Sequence, residues 1–134
     1  MAIQFSTTVA DALLNQIEST IGADAVLKIK TGSAPATCAT ADSGTVLATL
    51  TLPSDWMAAA SSGSKAKSGT WQDTSADAAG TAAHYRLYAS DGTTCHQQGT
   101  VTVSGGGGDL TLDDVTIEVG QTVTITSWTW TAQT

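Results

Sequence analysis

A chain of 134 residues, 41% apolar and only 13% charged, has the size of one domain and enough apolar material to bury a core. The charged fraction is well below the roughly 25% of an average domain, and Thr, Ser, Ala and Gly fill the difference. Twelve acids against five Lys plus Arg give a net charge of −7, which argues against the basic footprint needed to bind nucleic acid or an anionic membrane surface.

The first residues, Met1-Ala2-Ile3-Gln4-Phe5-Ser6, show neither the basic stretch nor the apolar core of an export signal. No apolar run approaches the ~20 residues that span a bilayer. With the starting Met, this predicts a product made in the cytoplasm. An amphipathic helix is expected over 7–21. Val9, Leu13, Ile17 and Ile21 recur every fourth residue, and Ala10 and Leu14 widen the stripe. Thr7 or Thr8 is the expected N-cap and Gly22 the left-handed stop, with Asp11 and Glu18 on the polar face. The apolar face must pack on the chain's own sheet or on a partner.

Alternation predicts a strand over 25–30, with Leu27 and Ile29 on one face and Lys28 and Lys30 on the other. The chain turns at 31–36, and 37–44 is a loop of small polar residues. The clearest strand covers 45–52, with Val46, Ala48, Leu50 and Leu52 as its buried row and Pro53 as its end. One helical turn capped by Ser54 is expected over 54–60, with Trp56 and Met57 as core plugs.

Strands punctuated by glycine are expected at 66–72, 82–89, 95–104, 109–112, 116–119 and 121–131. Asp91-Gly92 is a hairpin signal, and Gly120 allows a tight turn. The four glycines at 105–108 form a flexible loop or mark a close approach of another backbone. In the last strand Val123 and Ile125 lie on one face, and Thr124, Thr126, Trp128 and Trp130 on the other. The two tryptophans either cover the second side of the sheet or anchor a partner. The expected fold is mainly β: a β-sandwich or jelly-roll-like domain with one short N-terminal α-helix, forming a single domain over 1–134.

The residues that carry chemistry are sparse. His96 follows Cys95, and strand neighbours face opposite sides, so the pair does not suit one metal ion or a nucleophile–base couple. Cys38 with His84 stays open as a spatial pair. Asp73 with Asp77, and Asp113 with Asp114, read as loop acids in place of a calcium or acid–base pair. The glycine stretch lacks the Lys-Ser or Lys-Thr of a phosphate loop. Lys28/Lys30 and Lys65/Lys67 read as solvent faces or guarded edge strands, with docking on an acidic neighbour as the alternative. Arg86, the sole arginine, reads as a partner of a nearby carboxylate or as an intersubunit contact. Cys38 and Cys95 form one bridge or none, and a cytoplasmic product predicts two reduced thiols. No catalytic residue, metal or cofactor is expected. The candidate protein-contact residues are Trp128, Trp130, Arg86, Lys28 and Lys30.

Three stretches resemble a family of small structural proteins of tailed phages and prophages. One is Leu27-Lys28-Ile29-Lys30-Thr31-Gly32-Ser33-Ala34-Pro35 after an N-terminal helix. Another is Leu47-Ala48-Thr49-Leu50-Thr51-Leu52-Pro53-Ser54-Asp55-Trp56. The strongest is Gly80-Thr81-Ala82-Ala83-His84-Tyr85-Arg86-Leu87-Tyr88 with Asp91-Gly92-Thr93. The resemblance implies a virion protein assembled in the bacterial cytoplasm, a capsid decoration or cement protein that contacts the major capsid protein or other virion proteins. By analogy it implies a homo-oligomer, a trimer in particular. It carries no catalytic motif. The alternatives are a tail, baseplate or head–tail joining protein, a small carbohydrate- or host-surface-binding sandwich, and, last, an enzyme.

Overall fold

The computed structural model describes residues 3–134. The fold is mainly β with one N-terminal helix, α1 (Thr7–Ile21). Eleven strands follow: β1 (Val26–Lys30), β2 (Val46–Thr51), β3 (Ser64–Ala66), β4 (Trp71–Asp73), β5 (Gly80–Thr81), β6 (His84–Tyr88), β7 (Cys95–Val103), β8 (Leu110–Leu112), β9 (Thr116–Ile117), β10 (Val123–Ile125) and β11 (Thr129–Thr131). Five of them form one sheet in the order β2-β1-β6-β7-β8, curled into a half-barrel. Three two-strand ladders, β10-β4, β11-β3 and β5-β9, pack around one apolar core.

The five-strand sheet has two unlike faces. Leu27, Ile29, Ala48, Leu50, Tyr85 and Leu87 point into the core. Directly paired residues share a face, so Lys28 opposite Arg86 and Lys30 opposite His84 place a row of polar side chains on the other side. Of this row, Lys28 and Lys30 are expected from the sequence to meet solvent. Instead the 31–45 loop between β1 and β2 folds back over it. With this cover all five residues of β6 are buried; β1, paired with β2 on one side and β6 on the other, is an interior strand. The loop's base is closed by Thr31 N donating to Thr45 O at 3.1 Å and Thr45 N donating to Thr31 Oγ1 at 2.9 Å.

The helix has the expected limits but a different inner face. Ser6, not Thr7 or Thr8, caps it by accepting from Val9 N. Gly22, at φ +90°, stops it and donates to Glu18 O. Ala10, Leu14 and Ile21 are buried, while Val9, Leu13 and Ile17 lie outside. The polar contacts of its inner side decide the rotation. Buried Lys65 on β3 binds Glu18 Oε2 and Asn15 Oδ1, each at 2.8 Å, and Asp11 accepts from Gly63 N at 2.7 Å. These acids were expected on the polar face and Lys65 in solvent. Together they dock the helix.

Residues 54–60 form no helical turn. Ala58 N donates to Ala66 O and Met57 bridges Lys67, which runs this segment beside β3 in extended form and buries Trp56 and Met57. The expected long last strand is two short ones. Val123 and Ile125 point inward on β10; the chain leaves that ladder over 126–128 and joins a second one, β11-β3, with Trp128 and Trp130 also inward. A break of this kind changes the parity of a strand, so both sets are buried although an unbroken strand would separate them.

The glycines at 105–108 are a close approach. They loop the chain back beside the strand it has just left, so that β8 runs parallel to β7 with Val101 opposite Leu110. A Cβ on Gly108 would stand 2.9 Å from Thr102 N and 2.8 Å from Thr102 Oγ1. Backbone cannot yield there as a side-chain tip can. Gly108→Ala is therefore expected to lower stability by about 2 kcal/mol, measured by urea denaturation. Gly107→Ala, where nothing lies within 4 Å, reports the cost of the positive φ alone.

Candidate interaction surface

The outer row of α1 is the most extended apolar feature left uncovered. Val9 is 43% exposed, Leu13 47% and Ile17 36%. Phe5, just before the helix, is also exposed. At its C-terminal end the row borders a groove of about 360 Å³ lined by Leu13, Gln16, Ile17, Thr20, Ile21 and His96. The α1 residues of this groove are uncharged. A row at i, i+4, i+8 is the pattern of a helix laid against a partner.

The other sequence candidates lie inside the fold. Trp128 and Trp130 are 7% and 9% exposed. They complete a cluster of all four tryptophans: Trp56–Trp71, Trp56–Trp130, Trp71–Trp128 and Trp128–Trp130 ring centroids are 5.5–5.9 Å apart, mostly edge to face. The Trp128 indole donates to Asp109 O and the Trp56 indole to Gly22 O. The pair therefore belongs to the core and offers no exposed anchor. A cleft of about 420 Å³ beside it is lined by Tyr85, Gln97, Gln98, Asp109 and both rings, among others.

Lys30 and Arg86 are each 2% exposed and meet at one carboxylate, Asp42 on the 31–45 loop. Lys30 Nζ lies 2.8 Å from Asp42 Oδ2, and Arg86 Nη1 binds Asp42 Oδ1. Tyr88 donates its hydroxyl to the same carboxylate at 2.7 Å. Arg86 is completed by Gln98 Oε1 and by the carbonyls of Thr37 and Thr40. Burial alone would raise the Asp42 pKa, but hydrogen bonds from Lys30, Tyr88 and Arg86 outweigh it and hold the carboxyl well below its ordinary range. Burial first, then the Asp42 bond and charge, push Tyr88 up. Lys28 is half-buried, donates to Gly92 O at 2.9 Å and sits over the Tyr88 ring. Buried cations already satisfied in this way are poor contacts for a second chain. Asp42 went unnoticed in the sequence, yet it is the sole acid between residues 31 and 45, in a chain with one arginine to neutralise.

The remaining polar groups have local roles. His84 donates from Nδ1 to Gly32 O at 2.7 Å, while Cys38 meets Cys95 instead of His84. Asp73 and Asp77 accept from the backbone and hydroxyl of Thr49, fastening the 71–77 segment to β2. Asp114 closes a turn at Thr116 N. Among the described residues no three His, Cys, Asp or Glu side chains are grouped to hold a metal ion. Compared with protein-family models, curated proteins and solved structures, the chain finds no match in any of the three.

Proposed function

We propose that this chain is a structural protein of a phage particle, a cement protein that lays the outer face of α1 on the major capsid protein. The observation that carries the contact is the row Val9, Leu13 and Ile17, left in solvent on a helix whose other side is fixed by buried polar contacts, with exposed Phe5 just before it. The particle is supported by the resemblance of the 27–35, 47–56 and 80–93 stretches to small virion proteins.

Covering three half-exposed aliphatic side chains is worth about 3 kcal/mol, alone a contact weaker than millimolar. Such a face needs repetition. If copies are joined or bind a repeating lattice, effective concentration multiplies the modest affinity. The low content of long charged side chains suits this role, since little rotamer entropy is lost on docking.

The test is the double variant Leu13→Lys/Ile17→Lys. Both positions are exposed, so melting should stay close to that of the parent. Occupancy on purified particles, read by gel densitometry against the shell protein, should fall more than about tenfold. The parent should be present in many copies at a fixed ratio to the shell. Unchanged occupancy of the variant would remove the helix face from the contact. A handful of parent copies per particle would move the protein to the tail, baseplate or head–tail joint.

A further inference from the structure

The 31–45 loop brings together two cysteines 57 positions apart, Sγ to Sγ 2.7 Å. Two independent pieces of architecture hold them there. On the loop side, the backbone around Cys38 is pinned to the sheet. Gln98 Nε2 donates to Pro35 O at 2.6 Å, and Arg86 Nη2 donates to Thr37 O and Thr40 O at 2.8 and 2.9 Å. On the sheet side, β7 carries a bulge. Leu87 pairs with Gln97 but Tyr88 pairs with Cys95, so His96 is the extra residue. In an unbroken strand Cys95 would share the core-facing side of Gln97. The bulge turns it to the face that the loop covers. Both thiols remain half-exposed and open to a small reagent.

We propose that Cys38 and Cys95 are an intramolecular disulfide site whose bond bolts the 31–45 loop, and with it Asp42, over the polar face of the half-barrel. Closing the bond draws the sulfurs from 2.7 Å to roughly 2.05 Å, a shift that loop and strand absorb without rebuilding. The oxidant is a low-molecular-weight disulfide such as oxidised glutathione. Burial, with the adjacent Cys38 sulfur, pushes the Cys95 thiol up to about 12; exchange begins at whichever half-exposed sulfur meets the reagent first, Cys38 for instance. The Cys38 thiolate attacks one sulfur of the reagent, and the other leaves as a thiol carrying the Cys38 proton. Cys95 then attacks the Cys38 sulfur of the mixed disulfide, and the second reagent thiol leaves with the Cys95 proton. Two cysteine thiols are oxidised and one external disulfide is reduced to two thiols. The bond acts mainly by restricting the unfolded chain, and it closes a long loop.

The proposal does not depend on the particle reading, and its test uses the isolated full-length chain. After incubation with oxidised glutathione, both thiols should vanish from titration. The intact mass should be lighter by two hydrogens, and a peptide map should join the Cys38 and Cys95 peptides. The melting temperature should rise by roughly 10 °C and return on adding dithiothreitol. Cys38→Ser and Cys95→Ser should each lose this rise while keeping the melting temperature of the reduced parent. Two thiols that still titrate in the folded chain would overturn the proposal. So would bonds found only between molecules, a glutathione adduct that persists, or a bond that leaves melting unchanged.

Discussion

Asp42→Ala should lower stability by about 3 kcal/mol, and melting by about 10 °C. The variant leaves Lys30 and Arg86 buried without their counter-charge and removes the acceptor of the Tyr88 hydroxyl. Breaking a fully buried pair by deleting one partner costs about 3–5 kcal/mol. The low end applies here because Asp42 is 43% exposed and water can reach the site. Asp42→Asn separates charge from hydrogen bonding, since it keeps an acceptor but no charge. Lys30→Met in the Asp42→Ala background should recover part of the loss by removing one stranded ammonium. A loss below about 0.5 kcal/mol for Asp42→Ala, by urea denaturation, would mean the loop is not held by this carboxylate.

The same group predicts an acid limit. The native Asp42 pKa lies below its ordinary 3.8. Its contribution is therefore fully present above pH 4 and is lost as pH falls further, because the unfolded chain takes up the proton first. The parent should lose stability more steeply than Asp42→Ala below about pH 4, and the two melting curves should converge in acid. Parallel curves would assign the acid limit to other carboxylates.

Trp128→Ala should cost about 4 kcal/mol, a large share of the roughly 5–15 kcal/mol typical of a domain. Its ring sits edge-on to Trp71 at 5.5 Å, Tyr85 at 5.2 Å and Trp130 at 5.5 Å, and its indole hydrogen bond to Asp109 O ties the last segment to the start of β8. Deleting it opens a cavity bordered by three rings and strands that carbonyl. Trp128→Phe keeps part of the packing and should cost about half as much. Denaturant unfolding with near-ultraviolet dichroism checks both. An exposed anchor would behave differently: truncation would change stability by less than about 1 kcal/mol and weaken only a binding event. For the same reason, loss of sugar retention in a Trp128→Ala chain would not argue for a carbohydrate-binding surface.

Local chemistry made much of the fold legible in the sequence. Helix limits over 7–21 follow from four-residue spacing and from Gly22. The β1 and β2 strands follow from alternation, and the β6–β7 turn follows from Asp91-Gly92, where Asp91 accepts from the backbone of Thr93 and Thr94. These features depend on neighbours within a few residues, and periodicity and turn residues report such neighbours directly.

What covers each face was decided only in three dimensions. Leu13 and Leu14 are equally apolar, and the distant Lys65 and Gly63 select which one turns inward by binding Glu18, Asn15 and Asp11. Lys30 reads as a surface charge, and Arg86 as a cation in need of an unnamed carboxylate, until the 31–45 loop lays Asp42 across both. Trp128 and Trp130 join Val123 and Ile125 inside because the strand breaks over 126–128, and Cys95 meets Cys38 because β7 gains a residue at His96. A one-residue change of parity reverses every side chain beyond it, and single-sequence alternation does not record it. The sequence alone determined the β-rich composition, the helix and the turns. The tertiary structure decided which row of the helix is left exposed, because that depends on which polar groups pair across the fold.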